Sequence, residues 1–236
     1  MRWHPTCPTE SISAPATDPI FRLAPPAGHA QISTVSDSVS RVFPAQSGHF
    51  LLESGHHGDL WLDLEILESR SEALRAPAAA LADRLAAFRP DAICGPESGG
   101  AHLARLVAAC LGVPALATEK LPPATAGSSA GSPDTLYLAR YDLRPTDRSS
   151  ATGRRIALVD DVINAGSATQ ASLAALARAG ARPVAIGALL VLNEQAARLA
   201  ASQGLPLVFL GQRTGHLWDP AACPLCAQQV PLTLPA

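Results

Sequence analysis

Apolar positions along this chain gather into short blocks, and the spacing within each block sets the element it predicts. Residues 156–159, Ile-Ala-Leu-Val, form an unbroken β-rich run too short for a helix, which predicts a buried strand. Asp160 and Asp161 end it, a loop of small residues covers 164–169, and a helical pattern runs on to about Ala179. The same grammar occurs upstream, with a buried strand at 92–94, a glycine loop at 95–100 and a helix at 101–111. Residues 73–88, rich in Ala and Leu with Asp and Arg interspersed, predict an amphipathic helix that Pro90 stops. Further strands are expected at 113–118, 135–141, 183–192 and 207–210, and a helix at 194–203. Strands alternating with helices predict an α/β three-layer sandwich around a mainly parallel sheet.

The flanks pattern differently. Residues 1–32 carry Pro, Ser, Thr and Ala without apolar periodicity and are expected to be a disordered tail. Val35, Val39, Val42 and Phe43 recur at helical spacing, predicting a short helix over 34–43. Phe50 and Leu52, then Leu60, Leu62 and Leu64, alternate with polar residues around a 54–58 turn. That predicts two strands, a small N-terminal hood within 48–67. Pro, Ala, Gly and Ser dominate 121–134, a composition that cannot form a core and predicts a mobile lid over about 120–135. The organisation expected is thus a tail, a domain over 33–215 containing hood and lid, and a C-terminal tail over 216–236.

Composition narrows the function classes. The 236 residues carry a net charge of −2 and a single lysine, Lys120, which points away from nucleic acid and anionic membrane surfaces. No apolar run approaches the length of a membrane span, and no basic, apolar leader opens the chain. Five cysteines without framework spacing suit a reducing cytoplasm.

A strand, an acidic pair, a small-residue loop and a helix suit a ligand that joins a phosphate to a hydroxylated sugar. The amides that open the helix attract an anion, Gly166 permits the tight turn, and Ser167 and Thr169 offer hydroxyls. Asp160 and Asp161 would repel phosphate, and so fit a diol or a Mg²⁺-laden part of the same ligand. The plainer reading is a buried strand with an Asp-capped turn. No G-x-x-x-x-G-K-[ST] is present and no G-x-G-x-x-G follows a strand, which sets NTPase and dinucleotide readings aside.

The run Asp160-Asp161-Val162-Ile163-Asn164-Ala165-Gly166-Ser167-Ala168-Thr169 resembles the 5-phosphoribosyl-1-pyrophosphate (PRPP) motif of type I phosphoribosyltransferases, with Asn164 where Thr is usual. Phe50, Leu52, Ser54, Gly55 and Asp63 are similar to the hood pattern of the orotate members, and the C-P-L-C ending to a bacterial subgroup of them. The resemblance covers roughly 48–226. It implies a cytoplasmic, Mg²⁺-dependent homodimer that moves 5-phosphoribosyl from PRPP to a nucleobase, orotate first among candidates, in pyrimidine biosynthesis. It implies that Asp160 and Asp161 hold the ribose hydroxyls and Mg²⁺, that 164–169 hold the 5-phosphate, and that Glu97, Ser98, Gly99 and Gly100 hold pyrophosphate. Phe50 and Ser54 would border the base, and Lys120 would act in catalysis. Two departures matter: the lid lacks the family's basic residues, and Asn193-Glu194-Gln195 replaces a segment whose Arg binds the orotate carboxylate, leaving Arg213 as a substitute. Transfer to a purine or uracil-like base, or PRPP binding without turnover, are the alternatives.

Cys94 and Cys110 sit in apolar elements and are expected as core thiols. Cys223 and Cys226 form one C-x-x-C, which suits zinc with His216 as a nearby third ligand, a redox couple, or free thiols. His56 and His57 lie in the hood turn, where solvated side chains and acid–base groups are both reasonable readings.

Overall fold

The computed structural model describes Val39 and residues 43–52, 55–62, 72–97, 99–122 and 140–234. Strands β1 (Ala45–Leu51) and β2 (His57–Leu62) pair antiparallel as the hood. The main sheet follows from β3 (Ala92–Pro96), β4 (Ala115–Lys120), β5 (Tyr141–Leu143), β6 (Arg155–Ile163), β7 (Arg182–Val191) and β8 (Leu207–Gln212), and β9 (Leu217–Trp218) closes the set. The main sheet runs β5-β4-β3-β6-β7-β8, parallel throughout except for the β4–β5 pair. The helices are α1 (Arg75–Ala86), α2 (Gly99–Leu111), α3 (Arg148–Ala151), α4 (Ser167–Arg178), α5 (Gln195–Ser202) and α6 (Pro224–Ala227).

The sheet is buried on both faces because its strands are apolar at both parities. In β6, Ala157 and Val159 face a core shared with Leu81 and Leu85 of α1 and Leu103 and Val107 of α2. Ile156 and Leu158 face the other way, onto Leu173 and Leu176 of α4 and Ala196 and Ala200 of α5. The fold is therefore the α/β sandwich that the apolar blocks predict. Val39 and Phe43 join the α1 side of the core, and the Phe43 amide donates to the Val39 carbonyl at 3.2 Å, as a helical turn would have it.

Some boundaries move. Strand β6 runs four residues past the apolar block, because β7 stays in register with it to the Ile163–Val191 pair. Asp160 and Asp161 thus lie inside the strand rather than beyond it. The 1–32 tail, most of 34–43 and most of the lid lie outside the described residues, as do 135–139 of the expected returning strand; β5 itself runs Tyr141–Leu143. The segment placed in the C-terminal tail contributes β9 to the hood sheet, ordered β1-β2-β9, and Thr233 bridges Phe50. Among the described residues, no helix is long and apolar enough to cross a membrane.

Candidate active site

Strand order reverses between β3 and β6. The chain leaves β3 for β4 on one side and leaves β6 for β7 and β8 on the other, which opens a ligand crevice at the carboxyl ends of the two central strands. The segments after these strands meet there. A Cβ on Gly99 would lie 2.0 Å from Asp161 Oδ2, and one on Gly100 2.8 Å from Asp160 Oδ1. Glycine is required at both places because the two carboxylates lie against the backbone itself.

Adjacent in sequence, the two aspartates do different work. Asp160 is tied inward: Thr169 Oγ1 donates to its Oδ2 at 3.2 Å, and the Asp161 amide donates to its Oδ1 at 3.1 Å. Asp161 accepts from the Val162 amide through Oδ1 at 2.9 Å, while its Oδ2 is buried without a hydrogen-bond partner. Burial pushes both carboxyls above the usual carboxylate range, and for Asp160 the neighbouring Asp161 charge adds to the push. An unpartnered buried acceptor beside a second carboxylate is costly, and a hydroxyl donor or a divalent cation would relieve it.

Gly166 sits at φ 80°, in the left-handed region, and turns the chain into α4. A Cβ there would point at Leu199 Cδ2, 3.0 Å away on α5, so the glycine serves the turn. No side chain caps α4, which leaves its first amides as open donors for an anion. Ser167 begins the helix half-buried; Thr169 is buried, and its hydroxyl serves Asp160. Val162, Ala165 and Ala168 are half-buried around the turn, and Ile163 is buried in the core on the α4 side. Asn193 Nδ2 donates to Asn164 Oδ1 at 2.7 Å, and Asn193 Oδ1 accepts from the Gln195 amide at 2.8 Å. The segment after β7 thereby braces the turn that leads into α4. Glu194 pairs with Arg198 at 3.0 Å on the exposed side of α5.

Positive charge comes from two expected residues, Lys120 and Arg213, and from one that the sequence reading missed, Arg144. Lys120 is the exposed last residue of β4, opposite Tyr141 of β5. Arg144, just after β5, bonds Glu97 and also reaches Glu119 with Nε at 2.9 Å. The Glu97 hydrogen bond and charge hold the Arg144 guanidinium above its ordinary pKa. Its signal was its place at the end of the strand returning from the lid, where a side chain can reach the β3 and β4 ends. Arg213 follows β8; its amide donates to the Val191 carbonyl at 2.8 Å, and its Nη1 is buried without a partner.

Phe50 is buried in the hood, with its ring 6.1 Å from that of Trp61. Ser54 and Ser98 lie outside the described residues. Cys94 is fully buried, and burial with the Asp147 charge raises its thiol to about 12, as befits a core thiol. Cys110 packs half-buried against the α1–α2 core.

Residues 64–209 match the family model described as "Phosphoribosyl transferase domain". The orotate phosphoribosyltransferase of Acidithiobacillus ferrooxidans is 31% identical over 184 residues, covering 76% of this chain and 84% of that one. The orotate phosphoribosyltransferase of Thermus thermophilus is 30% identical over 186 residues, covering 78% and 90%. Among solved structures, adenine phosphoribosyltransferase of Trypanosoma brucei, in complex with AMP, pyrophosphate and ribose-5-phosphate, superposes with a TM-score of 0.55 at 20% identity, covering 76% of this chain and 82% of that one; this likeness concerns the fold.

Proposed function

The chain belongs to the phosphoribosyl transferase domain family and is a phosphoribosyltransferase, and from that premise we propose that it transfers 5-phosphoribosyl from PRPP to orotate, forming orotidine 5'-monophosphate and pyrophosphate. The observation that carries this reading is Asp161 Oδ2, buried and unpartnered between the loop after β3 and the uncapped start of α4. Two anion-friendly backbone segments flank one oxygen that wants a donor, which is the arrangement a phosphorylated sugar requires.

In this reading the α4 amides and Ser167 hold the 5-phosphate, and Asp161 takes a ribose hydroxyl. Asp160 orients Thr169 and holds the loop. The Glu97–Gly100 segment receives pyrophosphate. Asp160 and Asp161 would hold Mg²⁺, which would supply positive charge against the charge that builds on the leaving group. Lys120 contributes a second cation at the lid base, and Arg144 a third once it lets go of Glu97. Arg213, with a guanidinium nitrogen still lacking an acceptor, takes the carboxylate of the base in place of the arginine that Asn193-Glu194-Gln195 omits. The two relatives at 30% and 31% identity, both orotate phosphoribosyltransferases, favour this base over a purine.

PRPP-dependent pyrophosphate release across a panel of orotate, uracil, adenine, guanine and hypoxanthine tests the reading. Release with orotate alone is expected, and release only with another base would reassign the substrate. A PRPP-binding regulator is the second reading, favoured by the engagement of Arg144 with both Glu97 and Glu119. Binding of PRPP without release for any base would select it.

A further inference from the structure

His216 is not among the residues whose ligand atoms gather with Cys223 and Cys226. His216 Nδ1 is held by Asp59 Oδ2 at 2.6 Å, and its ring stacks on Trp218 with centroids 5.6 Å apart. The thiols meet two other histidines instead, His49 of β1 and His57 of β2. His49 lies in the β1 bulge between Ser47 and Phe50, and the 3.0 Å between its Nε2 and His57 Nδ1 puts both imidazoles on one face of the hood. One ligand atom from each of His49, His57, Cys223 and Cys226 lies within 4.8 Å of all the others.

Four of the six spacings in the cluster fall between 3.0 and 3.7 Å, near those of a tetrahedral ion. His49 Nε2 is 3.0 Å from His57 Nδ1, 3.4 Å from Cys223 Sγ and 3.7 Å from Cys226 Sγ, and Cys226 Sγ is 3.3 Å from His57 Nδ1. A zinc ion about 2.3 Å from sulfur and about 2.0–2.1 Å from nitrogen spaces its donors roughly 3.3–3.8 Å apart. The other nitrogen of His49, Nδ1, lies 2.9 Å from the Val230 carbonyl. As donor to that carbonyl, it leaves the Nε2 lone pair facing the cluster, the outer-shell arrangement that orients a metal-binding imidazole.

Burial supplies a second, independent argument. Between Gln212 and Leu234, Cys223 is the only buried residue, and neither α6 nor the 3₁₀ turn Pro220–Ala222 buries anything. Yet this segment folds back along the hood: Trp218 pairs with His57, and the Thr233 amide donates to the His49 carbonyl at 2.7 Å. Exposed backbone bonds and so little apolar contact do not hold a segment of this length. A metal bound to ligands from both ends of the chain would.

We propose that His49, His57, Cys223 and Cys226 form a structural Cys₂His₂ zinc site that clasps the C-terminal segment to the hood. Two thiolates and two neutral imidazoles select a borderline-soft ion, which separates this site from the oxygen-lined Mg²⁺ position in the crevice. With four protein ligands the coordination shell is closed, so the ion holds structure and carries no substrate. The proposal stands independently of the base that the crevice accepts.

Metal analysis of the full chain, purified under reducing conditions from zinc-supplemented culture, tests it. About one zinc per chain is expected, and Co²⁺ replacing it should give tetrahedral visible bands with a thiolate charge-transfer band. Cys226→Ser, at the exposed corner of the cluster, should weaken zinc binding by more than about 10–100-fold, the loss typical of an outer-shell change. Cys110→Ser should leave zinc content unchanged. Should Cys226→Ser fold poorly, release of zinc from the wild-type chain to a colorimetric chelator still reads the site. Wild-type protein that holds no stoichiometric zinc and takes up none when titrated, or that carries a Cys223–Cys226 disulfide in the cell, would overturn the assignment.

Discussion

Strand β6 buries seven of its nine residues, whereas from Gln212 to Leu234 a single side chain is buried. The sheet is positioned by removal of apolar surface on two faces, a distributed force to which every layer contributes. The C-terminal segment, in contrast, meets the hood through backbone pairing and the four polar side chains of the proposed clasp, while the hood itself reaches the core through Leu62. A distributed force tolerates the loss of one small group; a single clasp does not. The crevice belongs to the first regime in its scaffold and to the second in its chemistry, because it rests on strand ends while depending on one or two oxygens.

The largest expected effect lies in the sheet. Leu158→Ala, at a fully buried β6 position, should cost about 2–5 kcal/mol in urea unfolding. Zinc content should stay unchanged in the folded fraction. Coupled loss of both would mean that hood and sheet are one unit, and the contrast would fail. Next comes the crevice: Lys120→Ala should lower turnover on the order of 10²–10³ while PRPP affinity changes little, the mark of a cation acting on the departing charge. Equal turnover in Lys120→Ala would shift that role to Arg144.

Asp161→Asn should reduce turnover at least about tenfold, ~1.4 kcal/mol, without lowering stability at neutral pH. The sign follows from the raised pKa of both aspartates. A folded state that holds these protons more tightly than the unfolded chain has their full contribution below pH 4 or so, and loses it as pH rises through the folded values. The Mg²⁺-free wild type should therefore lose thermal stability on going from acid to neutral pH, with a shallower slope in Asp161→Asn. The same slope in both would place the proton elsewhere. The smallest effect is local: chelation of zinc should speed amide exchange in β1, β2 and β9 and leave β6 protected. Uniform acceleration would mean that the ion supports the whole domain.

The two regimes also differ in how far they could be read from sequence. Ile156 to Val159 announced a buried strand because burial on both faces leaves a continuous apolar run. The Gly99-Gly100 and Asp160-Asp161 pairs announced a close meeting of the two central segments, because close backbone approach restricts residue choice. What the sequence did not announce depends on register and on long-range proximity. The extension of β6 through the carboxylates follows from pairing with β7, and nothing local to Asp160 encodes it. Arg144 is one arginine among many until β5 places it beside Glu97. His49 and His57 carry no spacing signal with Cys223, because the partners are separated by most of the chain, and a C-x-x-C alone looks toward the nearest histidine in sequence, His216. Strand β9 is two residues long and leaves no periodic trace.

One contact in the crevice has a kinetic meaning. Gly99 lies so close over Asp161 that no solvent touches Oδ2. If the backbone at Gly99 has to shift before a sugar hydroxyl reaches this oxygen, only the shifted fraction of molecules is competent. The measured dissociation constant is then the intrinsic one divided by that fraction. Substitutions that loosen the loop, far from any atom of the ligand, would tighten apparent binding and quicken association together. The glycine that makes the site compact also makes its affinity a report on how often it opens.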